Sequence, residues 1–267
     1  MPFLDHLEEL RWRILWALLA VFIGAGVGIV LVVRFDVMTI LTQPLYSIIQ
    51  EIQVENPGFG GALGAGKLAF LDLTEPFFFV LKFGILTGFI LVSPILVYQT
   101  WAFLSPALEK REKRVIIPSL YFGLVLFAAG VSMAYFIALP VTIRFLLLFG
   151  QEWFTPMLTA GFYLSFVTRL LLAFGILFEL PVVVMILSVL GLVTPAFLRK
   201  YRRHAIVVNT IVASFLSPGD IITVTLLMMI PLILLYEVGI LLSVMIYRRK
   251  ETPEVDPDPP EGSVSVE

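Results

Sequence analysis

Ile14 to Val33 is an unbroken run of apolar and small residues with no charge, and nothing else restricts the fold of the chain as sharply. At about 1.5 Å per residue such a run, coiled as a helix, crosses a hydrocarbon layer about 30 Å thick. Comparable stretches recur at about 76–104, 115–139, 162–190 and 221–247, with a shorter one at 205–216. Hydrophobic residues make up 59% of the 267 and charged residues 14%, with a mean hydropathy of +0.99. The expected class is therefore all-α, a polytopic membrane protein whose apolar surface is covered by lipid.

Six spans are expected in one domain, residues 1–250. The first ends at Arg34 and Asp36, after which Thr42 to Gln50 reads as a short interfacial helix containing Pro44. Gly58 to Gly66 is turn material. Gly61-x4-Gly66-Lys67 imitates a phosphate loop, but Leu68 stands where a magnesium-binding Ser or Thr is needed, so nucleotide binding is set aside. The second span carries Lys82 and Pro94, and Ser105-Pro106 reads as the cap and first residue of a fresh helix. Pro140 is expected to stop the third span, with 143–149 as a separate interfacial piece. The fourth holds Arg169, Glu179 and Pro181. The fifth, Ala205 to Leu216, is too short to cross a normal bilayer and forms a hairpin with the sixth, so the bilayer thins there or the bundle is concave. Lys82 precedes Pro94, and Arg169 precedes Pro181, by the same interval; shared membrane grammar explains this better than an internal repeat.

Lys and Arg set the orientation. Arg11, Arg13, the basic residues of 110–114 and 199–203, and Arg248 to Lys250 fall on one side, against Arg34, Lys67 and Arg144 on the other. Both termini are thus expected to be cytoplasmic. The tail after Lys250, rich in Pro and acidic residues, is expected to be disordered. There is no cysteine, so no disulfide or thiol chemistry. The first apolar run is longer than that of a signal peptide and reads as a retained anchor.

The head of the chain spends carboxylates where a membrane protein seldom does. Leu4, Leu7, Leu10 and Ile14 form an apolar stripe of an amphipathic helix, and Asp5 with Glu8 fits a capping box. Glu9 points away from the stripe, and its helical partner of opposite sign is Arg13, so a surface ion pair is one reading. Glu112 has no cation three or four residues away on its own helix, whereas Glu109 pairs with Lys113. Two carboxylates on one face beside an apolar groove suit a ligand bearing paired cations and a hydrophobic stretch, arginine above all, because its planar fork meets a carboxylate bidentately.

Glu179 and Glu237 lie inside spans, where an ionised acid costs about 2.5–3.5 kcal/mol. Glu179 is either a proton-linked or substrate-facing acid or a polar tie between helices. For Glu237, nearer the cytoplasmic end, the tie is favoured. Asp220 reads as the N-cap of the sixth span. Lys82 and Arg169 can snorkel to the interface. No zinc-protease motif, no paired intramembrane aspartates and no paired histidines occur, since His6 and His204 are far apart, so an enzyme is not expected.

Several stretches together resemble the TatC family, the signal-receptor subunits of twin-arginine protein translocases. They are Phe3 to Arg11, Glu75-Pro76-Phe77-Phe78, Ser93 to Leu108, Tyr163-Leu164-Ser165-Phe166, Phe178-Glu179-Leu180-Pro181 and Tyr236-Glu237. The resemblance covers the chain to about Arg249. It implies a glove-shaped six-span fold in the bacterial cytoplasmic membrane that binds arginine-pair signal peptides. It also implies assembly with the single-span TatB and TatA, a homo-oligomeric receptor complex, and export of folded proteins driven by the proton-motive force. No cofactor, metal or nucleic acid is implied. Carried over by position, Glu9 and Glu112 match the acids that recognise the arginine pair. Arg11, Phe103 and Pro106 match the framework around them, Glu179 the intramembrane polar residue, and Asp220 and Pro44 positions linked to transport. Arg111 stands where some members have His, and Val224 where some have a polar residue, so pairing around Glu112 and the partner-contact edge depart from the family pattern. The rival from another class is a proton-coupled small-solute transporter using Glu179.

Overall fold

The computed structural model describes residues 3–57, 59, 68–70, 72–104, 110–149, 158–216 and 223–251. The phosphate-loop imitation, Ser105, Pro106, Asp220 and the acidic tail lie outside them. So do the side chains of Glu112 and of the first residues of the head, including the Asp5 half of the capping box.

The described residues fold as helices, because a chain in lipid must satisfy its backbone within each segment. They are α1 (Phe3–Arg34), α2 (Val37–Glu55), α3 (Glu75–Leu104), α4 (Lys110–Met133), a π turn (Ala134–Ala138), α5 (Leu139–Leu148), α6 (Ala160–Phe178), α7 (Leu180–Val189), α8 (Pro195–Lys200), α9 (Arg202–Leu216) and α10 (Thr223–Glu251). Among the described residues five helical stretches are long and apolar enough to cross a membrane: Glu8–Arg34, Glu75–Phe103, Ile116–Leu148, Ala160–Val189 and Met228–Tyr247. The fifth expected span, α9, has 15 described residues and does not reach that length.

Three expectations about boundaries change. Pro140 does not stop the third span. It sits directly after the π turn, whose wider winding makes room for the ring, so α4, the π turn and α5 continue as one stretch, Ile116–Leu148, that takes in all but the last residue of 143–149. The interfacial helix is no short piece: α2 runs over 19 residues and buries Leu41, Thr42, Pro44, Leu45, Ile48, Ile49 and Ile52. The fourth span is broken at Glu179, which ends α6 and opens α7 with Pro181 just behind it. Pro94, by contrast, lies inside the continuous α3, so the Lys82–Pro94 and Arg169–Pro181 echo does not extend to local structure.

α1 is held almost entirely by α3. Gly24 faces Gly88 and Val92, and Gly28 faces Gly84 and Gly88, so the two helices run antiparallel with backbones close enough that a Cβ at Gly28 would overlap the carbonyl oxygen of Gly84. Close approach of this kind drives helix association in lipid, where apolar surface alone gives no preference. At the end of the head stripe, in contrast, Ile14 is 49% exposed. Gly28→Leu is expected to part α1 from α3 at a cost of about 1–3 kcal/mol or more. The check is the thermal stability of the purified protein, with Gly26→Leu as control because nothing stands near its Cβ.

The main core joins α2, α3, α5, α6 and parts of α9 and α10, with Phe83, Phe174, Leu45, Ile52, Leu139 and Leu170 fully buried. A second cluster of Ile116, Val182, Met185, Val189 and Ile246 packs α4, α7 and α10. Short polar ties fix their register: Ser188 Oγ donates to Ser243 Oγ at 2.8 Å, and Asn209 Nδ2 donates to the Leu232 carbonyl at 3.3 Å. Where α3 and α6 begin, Glu75 Oε1 accepts the Gly161 N–H at 2.5 Å, supplying one of the unmade bonds at the start of α6 from another helix.

Candidate functional site

Glu9 lies on α1 with a half-buried side chain, and Arg13 one turn on donates to its Oε1 through both Nε, at 3.0 Å, and Nη2, at 2.5 Å. One carboxylate oxygen thus takes the whole pair. The ion pair expected from spacing forms, and it is compatible with exchange of one arginine for another. Glu8 and Arg11 are exposed on the same helix.

The antiparallel register of α1 and α3 sets what stands beside Glu9. Gly24 lies against Gly88 and Val92, and continuing both helices at about 1.5 Å per residue brings Glu9 level with Phe103 in the last turn of α3. Glu112 follows in the chain on α4, whose described part opens at Lys110. The structure therefore gathers Glu9, Arg11, Phe103 and the backbone of Glu112 at one end of the bundle. Between α1 and α3, starting just inside that end, runs an apolar groove lined by Trp16, Leu19, Ile23, Val92, Ile95 and Gln99 among others. The Glu9 carboxylate near the mouth of an apolar groove is an arrangement that a cation followed by a hydrophobic stretch would fit.

The other acids separate into distinct roles. Glu237 accepts from Arg202 Nη2 at 2.6 Å, and beside it the Tyr236 hydroxyl donates to the Leu198 carbonyl at 2.9 Å, so Glu237 ties α10 to the basic corner of α8 and α9. Glu179 has no cationic partner among the described residues. Its Oε2 lies against Gly123 of α4, where a Cβ would come within 2.7 Å. The helix break orients it: Val182 and Val183 donate their N–H groups to the Glu179 carbonyl, both at 3.0 Å, while its own N–H closes the end of α6 on Ile176. Gly123 is absent from the sequence reading, and only a contact across helices could reveal it. Lys82 and Arg169 are exposed, in keeping with snorkelling.

Residues 5–231 match the family model of the Sec-independent protein translocase protein TatC. The chain belongs to the TatC family. It is 37% identical over 253 residues to the Sec-independent protein translocase protein TatC of Aquifex aeolicus, covering 94% of this chain and 98% of that one. With the TatC of Escherichia coli it shares 33% over 242 residues, covering 91% and 88%. Its fold is similar to the crystal structure of a twin-arginine translocase receptor, TatC, with a TM-score of 0.72 and 38% identity, covering 91% of this chain and all of that one. Membership makes this chain a twin-arginine translocase subunit of the TatC type, a multi-pass membrane protein and a non-enzymatic transport protein.

Proposed function

We propose that the end of the bundle carrying Glu9 and Glu112 is where this TatC binds the paired arginines of export signals, each guanidinium meeting one carboxylate. The observation that carries the reading is the register of α1 on α3, which sets Glu9 level with Phe103 and beside the start of α4. Arg11, Phe103 and Pro106 frame the site. The groove between α1 and α3 lies in line to receive the apolar part of the signal. The Lys and Arg count puts this face, and both termini, in the cytoplasm of a bacterium whose inner membrane the chain spans.

In the finer architecture the short α9 pairs with α10 as a fifth and sixth span, held by Asn209 and by a Thr210–Met229 contact, and the shortfall in length makes that flank concave. All six belong to one domain through residue 250, with the acidic tail beyond. Glu179, Asp220 and Pro44 serve the transport steps after recognition. Single-span TatB and TatA and further copies of this chain complete the complex, which the proton-motive force drives. A photocrosslinker at position 9 or 112 should capture a signal peptide that carries the arginine pair and not one with both arginines replaced by alanine. Equal capture of the two would refute the site. A small-solute transporter, the rival reading, requires substrate flux by this chain alone in proteoliposomes, and none is expected.

A further inference from the structure

Pro44 sits inside α2 and has no N–H, so the carbonyl of Ile40, four residues back, lacks its helical donor, and the ring pushes that carbonyl outward. The hydroxyl of Tyr135, from the π turn of the third span, donates to it at 2.5 Å. On the next rung the hydroxyl of Tyr163, from α6, donates to the Leu41 carbonyl at 2.8 Å. Tyr163 is 2% exposed. Two helices of the bundle thus reach into α2 at adjacent rungs, at the place where proline has opened the ladder.

Elsewhere a proline in this chain is handled locally. The carbonyl that Pro94 frees, that of Ile90, is taken by Ser93 Oγ on the same helix at 2.8 Å, and no other element is engaged. At Pro44 the freed group is handed to a different helix. Among the described residues α2 is also held by Arg144, which meets Glu51 and Glu55 in an exposed cluster, and such surface pairs hold little. The π turn has a matching part, since it both absorbs Pro140 and presents Tyr135.

We propose that Tyr135 and Tyr163 are positioning residues that dock α2 across the outer ends of the third and fourth spans, and that Pro44 acts in transport by leaving the Ile40 carbonyl for Tyr135 to take. The part concerning transport rests on the translocase reading; the docking does not. The two tyrosines differ in their dependence on Pro44. An N–H at position 44 supplies Ile40 with a helical donor and removes the need for Tyr135. It leaves the Tyr163–Leu41 bond untouched.

The chain has no cysteine, so Ile48→Cys, on the buried face of α2, gives a single reporter in the full-length protein. Its rate of reaction with a water-soluble maleimide in detergent reads how often α2 lifts. Tyr135→Phe and Tyr163→Phe are each expected to raise that rate about fivefold, the effect of one hydrogen bond. In a Pro44→Ala background Tyr135→Phe should change it less than twofold, whereas Tyr163→Phe keeps its full effect. Unchanged labelling in Tyr135→Phe, or the same increase with and without Pro44, would overturn the proposal. In cells, Tyr135→Phe should lower export of an arginine-pair passenger severalfold while the signal crosslink at position 9 keeps its wild-type yield. Normal export beside an altered labelling rate would overturn the transport role alone, and a missing crosslink in the wild type would count against the receptor reading.

Discussion

Glu9→Ala and Glu112→Ala are each expected to weaken binding of an arginine-pair signal peptide by tens of fold. A well-formed bond between a guanidinium and a carboxylate contributes about 1.5–3 kcal/mol, and each 1.4 kcal/mol is a factor of about ten in affinity. Arg13 makes the first of these variants informative in a further way. In the free protein its guanidinium occupies Glu9 Oε1 through two nitrogens, so a signal arginine must share or displace it. Arg13→Ala should therefore bind the peptide at least as tightly as wild type, although it removes a positive neighbour of the site and breaks the same ion pair. If Glu9 were only half of a structural pair, Glu9→Ala and Arg13→Ala would behave alike. Titration of a fluorescent signal peptide onto the membrane-embedded complex separates the two cases.

Gly123→Leu is expected to reduce export at least tenfold with signal binding retained. A Cβ at this position would stand 2.7 Å from Glu179 Oε2 and 3.3 Å from Val182, and the larger side chain must push α4 away from the α6–α7 break at a cost of about 1–3 kcal/mol. Glu9 and Phe103 stand on α1 and α3, neither of which a Cβ at Gly123 meets, so their share of signal binding is kept. Combining Gly123→Leu with Glu179→Ala should recover part of the lost stability, because the removed carboxylate makes room for the leucine; strict additivity would show that the two residues do not share the contact. The check is an export assay beside a thermal melt of the single and double variants.

What the residues disclosed in advance follows from which signals are local. Long uncharged runs and the brevity of 205–216 are properties of the chain as written, and the helices lie where those signals put them. Glu237 as a tie was also legible, since an acid near a basic cluster has cations within reach, and Arg202 proved to be its partner. The failures concern contacts between helices. Pro140 read as a stop because a proline breaks a helix unless its surroundings widen, and the π turn does so. Glu179 lies within the span Ala160–Val189 as expected, but its contact with Gly123 has no local signature. Tyr135 was indistinguishable from other aromatic residues of its span, and the glycines of α1 and α3 acquire meaning only when laid against each other. Glu9 and Glu112 were singled out from the sequence, and the register of α1 on α3 sets Glu9 level with the last turn of α3.

The central claim, that Glu9 and Glu112 read arginines by their geometry and not simply by charge, is tested most directly with two signal peptides that differ only in carrying an arginine pair or a lysine pair. Lysine keeps the charge but lacks the planar fork. The measurement is the ratio of their affinities for wild-type complex and for the Glu9→Gln, Glu112→Gln double variant. The predicted result is a preference for arginine of about tenfold or more in the wild type that falls close to one in the variant. Equal affinities in the wild type, or an undiminished preference in the variant, would contradict it.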